Sequence, residues 1–187
     1  MVSQLSLVLG GVRSGKSAFA EGLALELAQP TLYLATGQAT DTEMAERIRR
    51  HRERRPSHWQ TLEEPLDPAD ALSAALAVPH PPGVALLDSL DGWVSNLLLQ
   101  HESADPDEVE SLALGTIDRL LETCNSASAA FFLVSSEVGL SLVPPYPLGR
   151  RFQDLLGLVN QRVAAAADRV YLVVAGISVV VKGSQGK

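Results

Sequence analysis

Eight consecutive residues, Gly10-Gly11-Val12-Arg13-Ser14-Gly15-Lys16-Ser17, fit the pattern G-x-x-x-x-G-K-[ST], a loop that wraps backbone amides around a chain of phosphates. The glycines let the backbone curl so that successive N–H groups converge on phosphate oxygens. A helix beginning at Lys16 adds the positive end of its dipole. Lys16 is placed to reach β- and γ-phosphates and is expected to face solvent when no nucleotide is bound. The Ser17 hydroxyl is a hard oxygen suited to Mg²⁺. This chemistry needs a strand before the loop and a helix after it. The apolar run Leu5–Leu9 and the Ala/Leu/Glu-rich stretch Lys16–Ala28 supply both.

A carboxylate should complete the metal site. Val84-Ala85-Leu86-Leu87-Asp88 is an apolar strand ending in Asp, the pattern that gives Mg²⁺ its acidic partner in phosphate-loop proteins. Asp91 is the alternative ligand. Asp88 could instead cap the helix that follows.

The stretch Thr40–Pro56 holds a second constellation. Thr40 and Glu43 have capping-box spacing, and Pro56 ends the helix they start. Met44, Ile48 and His51 fall on one face of that helix, with Arg47 one turn before His51 and Arg54 and Arg55 one turn after. An imidazole among guanidinium groups makes an anion site and a candidate nucleophile. Equally, the arginines could form a solvated face, with His51 a hydrogen-bonded packing residue. Glu137, after an apolar strand, could be a base, a group behind the metal or a cap. Arg162 could clamp phosphate or be an exposed helix charge.

The elements that must position these residues alternate between short apolar runs and helical patterns, the mark of an α/β protein with a mostly parallel sheet flanked by helices. Strands are expected at Leu5–Leu9, Thr31–Ala35, Val84–Leu87, Ala130–Val134, Val170–Val174 and Ile177–Val181. The last two are separated only by Ala175-Gly176, too short for a parallel crossover, so they form an antiparallel C-terminal hairpin. Helices are expected at Lys16–Ala28, Asp41–Arg54, Asp67–Ala77, Leu90–Gln100, Asp107–Thr123 and Leu148–Ala166. Residues 1–182 read as a single nucleotide-binding domain and 183–187 as a flexible tail.

Composition narrows the class further. The chain has 187 residues and a formal net charge of −7, which argues against nucleic acid as a partner. The single cysteine, Cys124, sits in an apolar helix and reads as a buried bystander. No apolar run is long enough to span a bilayer and no secretory leader is read, so a cytoplasmic protein is expected.

Taken together, these residues resemble the bifunctional adenosylcobinamide kinase/adenosylcobinamide-phosphate guanylyltransferases of cobalamin assembly. The resemblance runs through GGVRSGKS at Gly10–Ser17, YLAT at Tyr33–Thr36, RIRRHRERRPSHW at Arg47–Trp59, LLDSL at Leu86–Leu90, SNLL at Ser95–Leu98, SEVG at Ser136–Gly139 and GRRFQDLLGLVNQRVAAAADRVYLVVAGI at Gly149–Ile177. It implies a RecA-like phosphate-loop fold assembled as a ring, usually a homotrimer. It implies two reactions. ATP or GTP phosphorylates adenosylcobinamide, and GMP passes from GTP through a guanylylated histidine to adenosylcobinamide phosphate.

The family's nucleophile falls on His51, with Lys16 beside it as a catalytic cation. Some relatives carry a second histidine at the position of Arg50, and some carry Glu at the position of Asp88. The nucleotide site implied comprises Gly10, Gly11, Val12, Arg13, Ser14, Gly15, Lys16, Ser17, Ala35, Thr36, Gly37, Arg52, Glu53, Arg54, Arg55 and Asp88, with Ser17 and Asp88 on Mg²⁺. Glu63 and Glu64, acceptors only, are candidates for the guanine N1–H and N2–H₂. Trp93 or its neighbours are expected near a subunit contact. A simple phosphate-loop kinase without a covalent intermediate, and a non-enzymatic nucleotide switch, are the competing readings.

Overall fold

A computed structural model describes residues 4–39 and 42–183, with residues 43, 44, 47 and 54 described by backbone alone. Thr40, Asp41 and the tail beyond Gly183 lie outside the described residues, and with them the capping-box expectation.

The chain runs β1 (Gln4–Gly10), α1 (Lys16–Glu26), β2 (Thr31–Ala35), α2 (Thr42–Arg54), β3 (Gln60–Glu63), α3 (Pro68–Leu76), β4 (Val84–Asp88), α4 (Leu90–Gln100), α5 (Pro106–Ser126), β5 (Ala130–Ser136), α6 (Pro147–Ala166), β6 (Arg169–Val174) and β7 (Ile177–Lys182). The strands form one sheet in the order β3-β2-β4-β5-β1-β6-β7. Every pairing is parallel except β6–β7. β5 separates the phosphate-loop strand β1 from the carboxylate strand β4, the RecA-like arrangement.

Both faces of the sheet are covered, which is why its central strands read as near-continuous apolar runs. On one face Leu7, Leu34, Leu87 and Leu133 pack beneath α3, α4, α5 and α6. On the other, Val8, Tyr33, Leu86 and Val134 pack beneath α1 and Trp59. Helix starts are fixed locally. Asp67 accepts from Asp70 N, Ser89 from Gly92 N and Asp105 from Asp107 N, and Pro68, Pro106 and Pro147 occupy first turns where no donor is needed.

The hairpin expected at Ala175-Gly176 is present, with both residues at positive φ (51° and 81°), as a tight two-residue turn requires. β3 was not expected. Gln60-Thr61-Leu62-Glu63 holds one apolar residue in four and shows no alternation. It is a strand because its backbone pairs with β2, from Leu32↔Gln60 to Ala35↔Glu63, at the sheet's edge where side-chain pattern matters least. Cys124 is fully buried, and burial pushes its thiol up to about 12, so it packs as an apolar side chain. Among the described residues no helix is long and apolar enough to cross a membrane.

Candidate active site

The phosphate loop bridges β1 and α1. Gly15, at the α1 N-cap, has φ +95°, a conformation that strains any residue with a Cβ. Phe19 N then donates to Gly15 O and opens the helix. Two contacts brace the loop from outside. Glu137 N donates to Gly10 O at 3.2 Å, and Gly176 N at the hairpin turn donates to Ser14 O at 2.8 Å. Lys16 does not face solvent as expected: it is only 8% exposed, and its Nζ folds back toward Gly11 O at 3.5 Å. The loop's own carbonyl is the acceptor within its reach.

Ser17 Oγ donates to Asp88 Oδ1 at 3.2 Å. The Tyr33 hydroxyl donates to the other carboxylate oxygen, Asp88 Oδ2, at 2.5 Å. Burial first, and then the Asp88 charge, hold the Tyr33 phenol well above its usual range, so it stays protonated as a donor. Ser89, not Asp88, caps α4, which leaves the Asp88 carboxylate to the site. Thr36 locks against this corner: its Oγ1 donates to Ser89 O at 2.6 Å and accepts from Ser89 N at 2.9 Å. Asn96 Nδ2 donates to Thr36 O and to Pro65 O, tying together the segments that follow β2 and β3.

These groups open onto one cavity of about 370 Å³, within the range of small-molecule sites. Lys16, Ser17 and Asp88 line its phosphate side. Ile48 and His51 of α2, with Arg55 just beyond, line a second side, and Glu63 borders them. The α4 residues Asp91, Gly92, Ser95 and Leu99, with Phe152 of α6, form the remaining wall. The Arg55 guanidinium lies 3.5 Å over the centroid of the Tyr33 ring. Asp91 Oδ1 and Arg55 Nε are buried with no hydrogen-bond partner among the described residues.

The fold thus gathers Lys16, Ser17, Ala35, Gly37, His51, Arg55, Glu63 and Asp88 at one cavity. Other candidates go elsewhere. Arg52 forms an ion pair with Glu63, and Glu53 pairs with Arg49 on the exposed side of α2. Glu64 Oε1 accepts from Leu66 N and Asp67 N, so it shapes the turn before α3. Val12 is exposed, and Arg13 (φ 57°) sits in the loop. Glu137 Oε1 accepts from Gly139 N in its own loop. Arg162 pairs with Asp118 on an exposed face, far from a phosphate clamp's role. The side chains of Met44, Arg47 and Arg54 lie outside the described residues.

Trp93 is wholly buried in the subunit and its Nε1 donates to Leu66 O at 2.9 Å, so it fills the core and has no surface to offer a neighbour. The sequence analysis assigns no site role to Tyr33, Ser95, Asn96 or Phe152, although all four fall inside the blocks that carry the family resemblance. Tyr33 sits in an apolar strand, and its hydroxyl was the one signal that the residue is more than core. Asn96 is a lone amide in the apolar helix α4, where a buried polar group calls for partners.

Comparison with known proteins agrees with the geometry. Residues 6–181 match the family described as "Cobinamide kinase / cobinamide phosphate guanyltransferase". The chain is 42% identical over 182 residues to the bifunctional adenosylcobalamin biosynthesis protein CobU of Escherichia coli K12, covering 94% of this chain and 98% of that protein. It is 44% identical over 178 residues to the bifunctional adenosylcobalamin biosynthesis protein CobP of Pseudomonas aeruginosa, covering 95% and 96%. To CobU of Salmonella typhimurium LT2 it is 43% identical over 183 residues, covering 94% and 98%. A phosphate loop, a strand-end carboxylate and a helix-borne histidine facing one cavity, on a chain matched almost end to end, mark this protein as a member of the cobinamide kinase / cobinamide phosphate guanyltransferase family.

Proposed function

We propose that this one cavity serves two transfers. In the first, a hydroxyl of adenosylcobinamide attacks the γ-phosphorus of ATP or GTP and the nucleoside diphosphate leaves. In the second, a ring nitrogen of His51 attacks the α-phosphorus of GTP. An N–P bond forms, the α–β P–O bond breaks, and pyrophosphate departs. A phosphate oxygen of adenosylcobinamide phosphate then attacks the same phosphorus, breaking the N–P bond. Adenosylcobinamide-GDP forms and the imidazole is regenerated. The histidine divides one hard transfer into two easier ones. The observation that carries this reading is that His51 lines the same cavity as Lys16 and Ser17.

Charge on the triphosphate must be offset before an uncharged nitrogen can approach it. Among the described residues, the Lys16 ammonium and the Arg55 guanidinium line the cavity. Ser17 Oγ and Asp88 Oδ1, two hard oxygens already 3.2 Å apart, suit Mg²⁺. Among the described residues no cluster of three or more His, Cys, Asp or Glu offers a metal cage, which fits an ion held largely by the nucleotide's own oxygens. When bound, Mg²⁺ offsets phosphate charge. Between the two guanine-reading candidates, Glu63 is favoured, because it faces the cavity while Glu64 is spent on backbone amides.

A homotrimer is the assembly we favour, and cytoplasmic residence the location. The support for assembly is β7, an edge strand whose Ile177, Val179 and Val181 are 70%, 52% and 63% exposed, an apolar edge of the kind proteins usually cover. Light scattering should give three times the chain mass.

The deciding experiment is incubation with α-labelled GTP. The protein should acquire a label that is acid-labile and base-stable, as a phosphoramidate is, and His51→Ala should acquire none. Phosphorylated cobinamide without a labelled protein would reduce the enzyme to a simple kinase. Bound nucleotide with no turnover would leave a switch.

A further inference from the structure

Tyr33 makes two contacts that point in different directions. Its hydroxyl holds Asp88 Oδ2 while Ser17 holds Asp88 Oδ1, so each carboxylate oxygen has a donor and the plane of the carboxylate is fixed. A terminal carboxyl torsion is otherwise broad and soft. Its ring face carries the Arg55 guanidinium at 3.5 Å. Arg55 follows the last residue of α2 and stands one turn beyond His51. Arg55 N also donates to Arg52 O, so the seated guanidinium is part of the helix end. Trp59, buried and 6.3 Å from the Tyr33 ring, backs the same seat. The ring itself is wholly buried in β2, anchored on both sides by β3 and β4.

We infer that Tyr33 is a positioning residue with two separable tasks: its hydroxyl orients Asp88 toward the metal and Ser17, and its ring face seats Arg55 and so sets the end of the helix that carries His51. The inference rests on the roles proposed above for Asp88 and His51. Removing the hydroxyl leaves Asp88 Oδ2 part-buried and short of a donor, free to rotate out of line. Removing the ring also removes the surface on which a guanidinium stacks, and α2 loses its docking point beside the cavity.

The test compares Tyr33→Phe, which deletes only the hydroxyl, with Tyr33→Leu, which deletes both features. The first readout is the Mg²⁺ concentration that half-saturates binding of a fluorescent GDP analogue, a measurement that needs no turnover. The second is the rate of covalent labelling from α-labelled GTP at saturating Mg²⁺. Both variants should raise the Mg²⁺ requirement about tenfold. Tyr33→Leu should label at least tenfold more slowly than Tyr33→Phe, and Arg55→Lys, which keeps the charge and loses the planar stack, should resemble Tyr33→Leu in labelling while shifting the Mg²⁺ requirement less. Should Tyr33→Leu fail to fold, judged by circular dichroism, Arg55→Lys carries the second arm alone.

An unchanged Mg²⁺ requirement in Tyr33→Phe, where Asp88→Asn shifts it, overturns the hydroxyl's task and leaves the metal reading standing. If Asp88→Asn shifts nothing either, the metal reading fails and the inference with it. Equal labelling rates in Tyr33→Phe and Tyr33→Leu, or undiminished labelling in Arg55→Lys, overturn the ring's task.

Discussion

The phosphate loop and helix α2 face the same cavity but are held there in opposite ways. The loop is built from backbone: a glycine at φ +95°, a helix start, and brackets from Glu137 N and Gly176 N. Helix α2 contributes no residue to the buried core among those described. Its surface carries a ladder in which Glu46 pairs with Arg49 and Arg50, and Arg49 with Glu53. Exposed pairs of that kind are worth little to the whole fold. Among the described residues its end is docked by two side-chain contacts that the structure shows, Arg55 on Tyr33 and Arg52 on Glu63. One half of the site is framed by backbone and serves phosphate in general. The other is seated through side chains and, on the function proposed above, serves one of the two transfers.

Disabling each half in turn gives the sharpest contrast. His51→Ala should abolish covalent labelling while the kinase step survives. Lys16→Ala should depress both steps by 10²-fold or more, the scale of losing several kcal/mol of charge compensation, with folding intact by circular dichroism. Equal loss of both activities in His51→Ala would erase the division of labour.

A smaller effect lies at the border between the halves. Glu63→Gln should lower the preference for GTP over ATP in labelling about tenfold, one hydrogen-bonded charge's worth of selectivity. Glu64→Gln should leave that ratio alone. Reversed outcomes would move base recognition to the turn before α3.

The loop's rigidity can be tested by stability. Gly15→Ala forces a Cβ into left-handed backbone and should cost roughly 1–2 kcal/mol, seen as a lowered Tm together with weaker nucleotide binding. An unchanged Tm would mean that the loop yields more easily than its brackets suggest.

The smallest effect concerns pH and α2. Hydrogen bonds from Arg49 and Arg50 hold the Glu46 carboxyl down at about 2. A depressed carboxylate contributes support that is complete above its unfolded value of 4.5 and is lost as pH falls toward 2. Amide exchange in α2 should therefore quicken across that window, and Glu46→Gln should remove the pH dependence. If α2 and the sheet loosen in step, α2 is tied to the core more firmly than its contacts imply.

The same contrast explains what could be read from sequence. The loop's geometry is local, so its residues, the flanking β1 and α1, and the strand that delivers Asp88 were all legible, as were the limits of α4 and the hairpin at Ala175-Gly176. Periodicity placed His51 and Ile48 on one face of α2, but could not say what that face meets. The seat is Tyr33, remote in sequence and outwardly an ordinary core aromatic, with Trp59 behind it. β3 escaped because its strand character comes from its neighbour's backbone. Lys16 was expected in solvent because its spare carbonyl partner is a matter of loop geometry. Trp93 was assigned to a contact between subunits because surplus apolar residues on a helix look alike whether they meet another chain or a second layer of the same one.

The bond from Gly176 N to Ser14 O joins positions that leave the ribosome at very different times. A growing chain can form β1 and α1 early, yet the outer bracket of the phosphate loop is made roughly 160 residues later. Until β6 and β7 emerge and dock, the loop has its motif but only part of its frame. The frame of the phosphate loop is therefore complete only when the last strands close the sheet, not when the signature residues first appear.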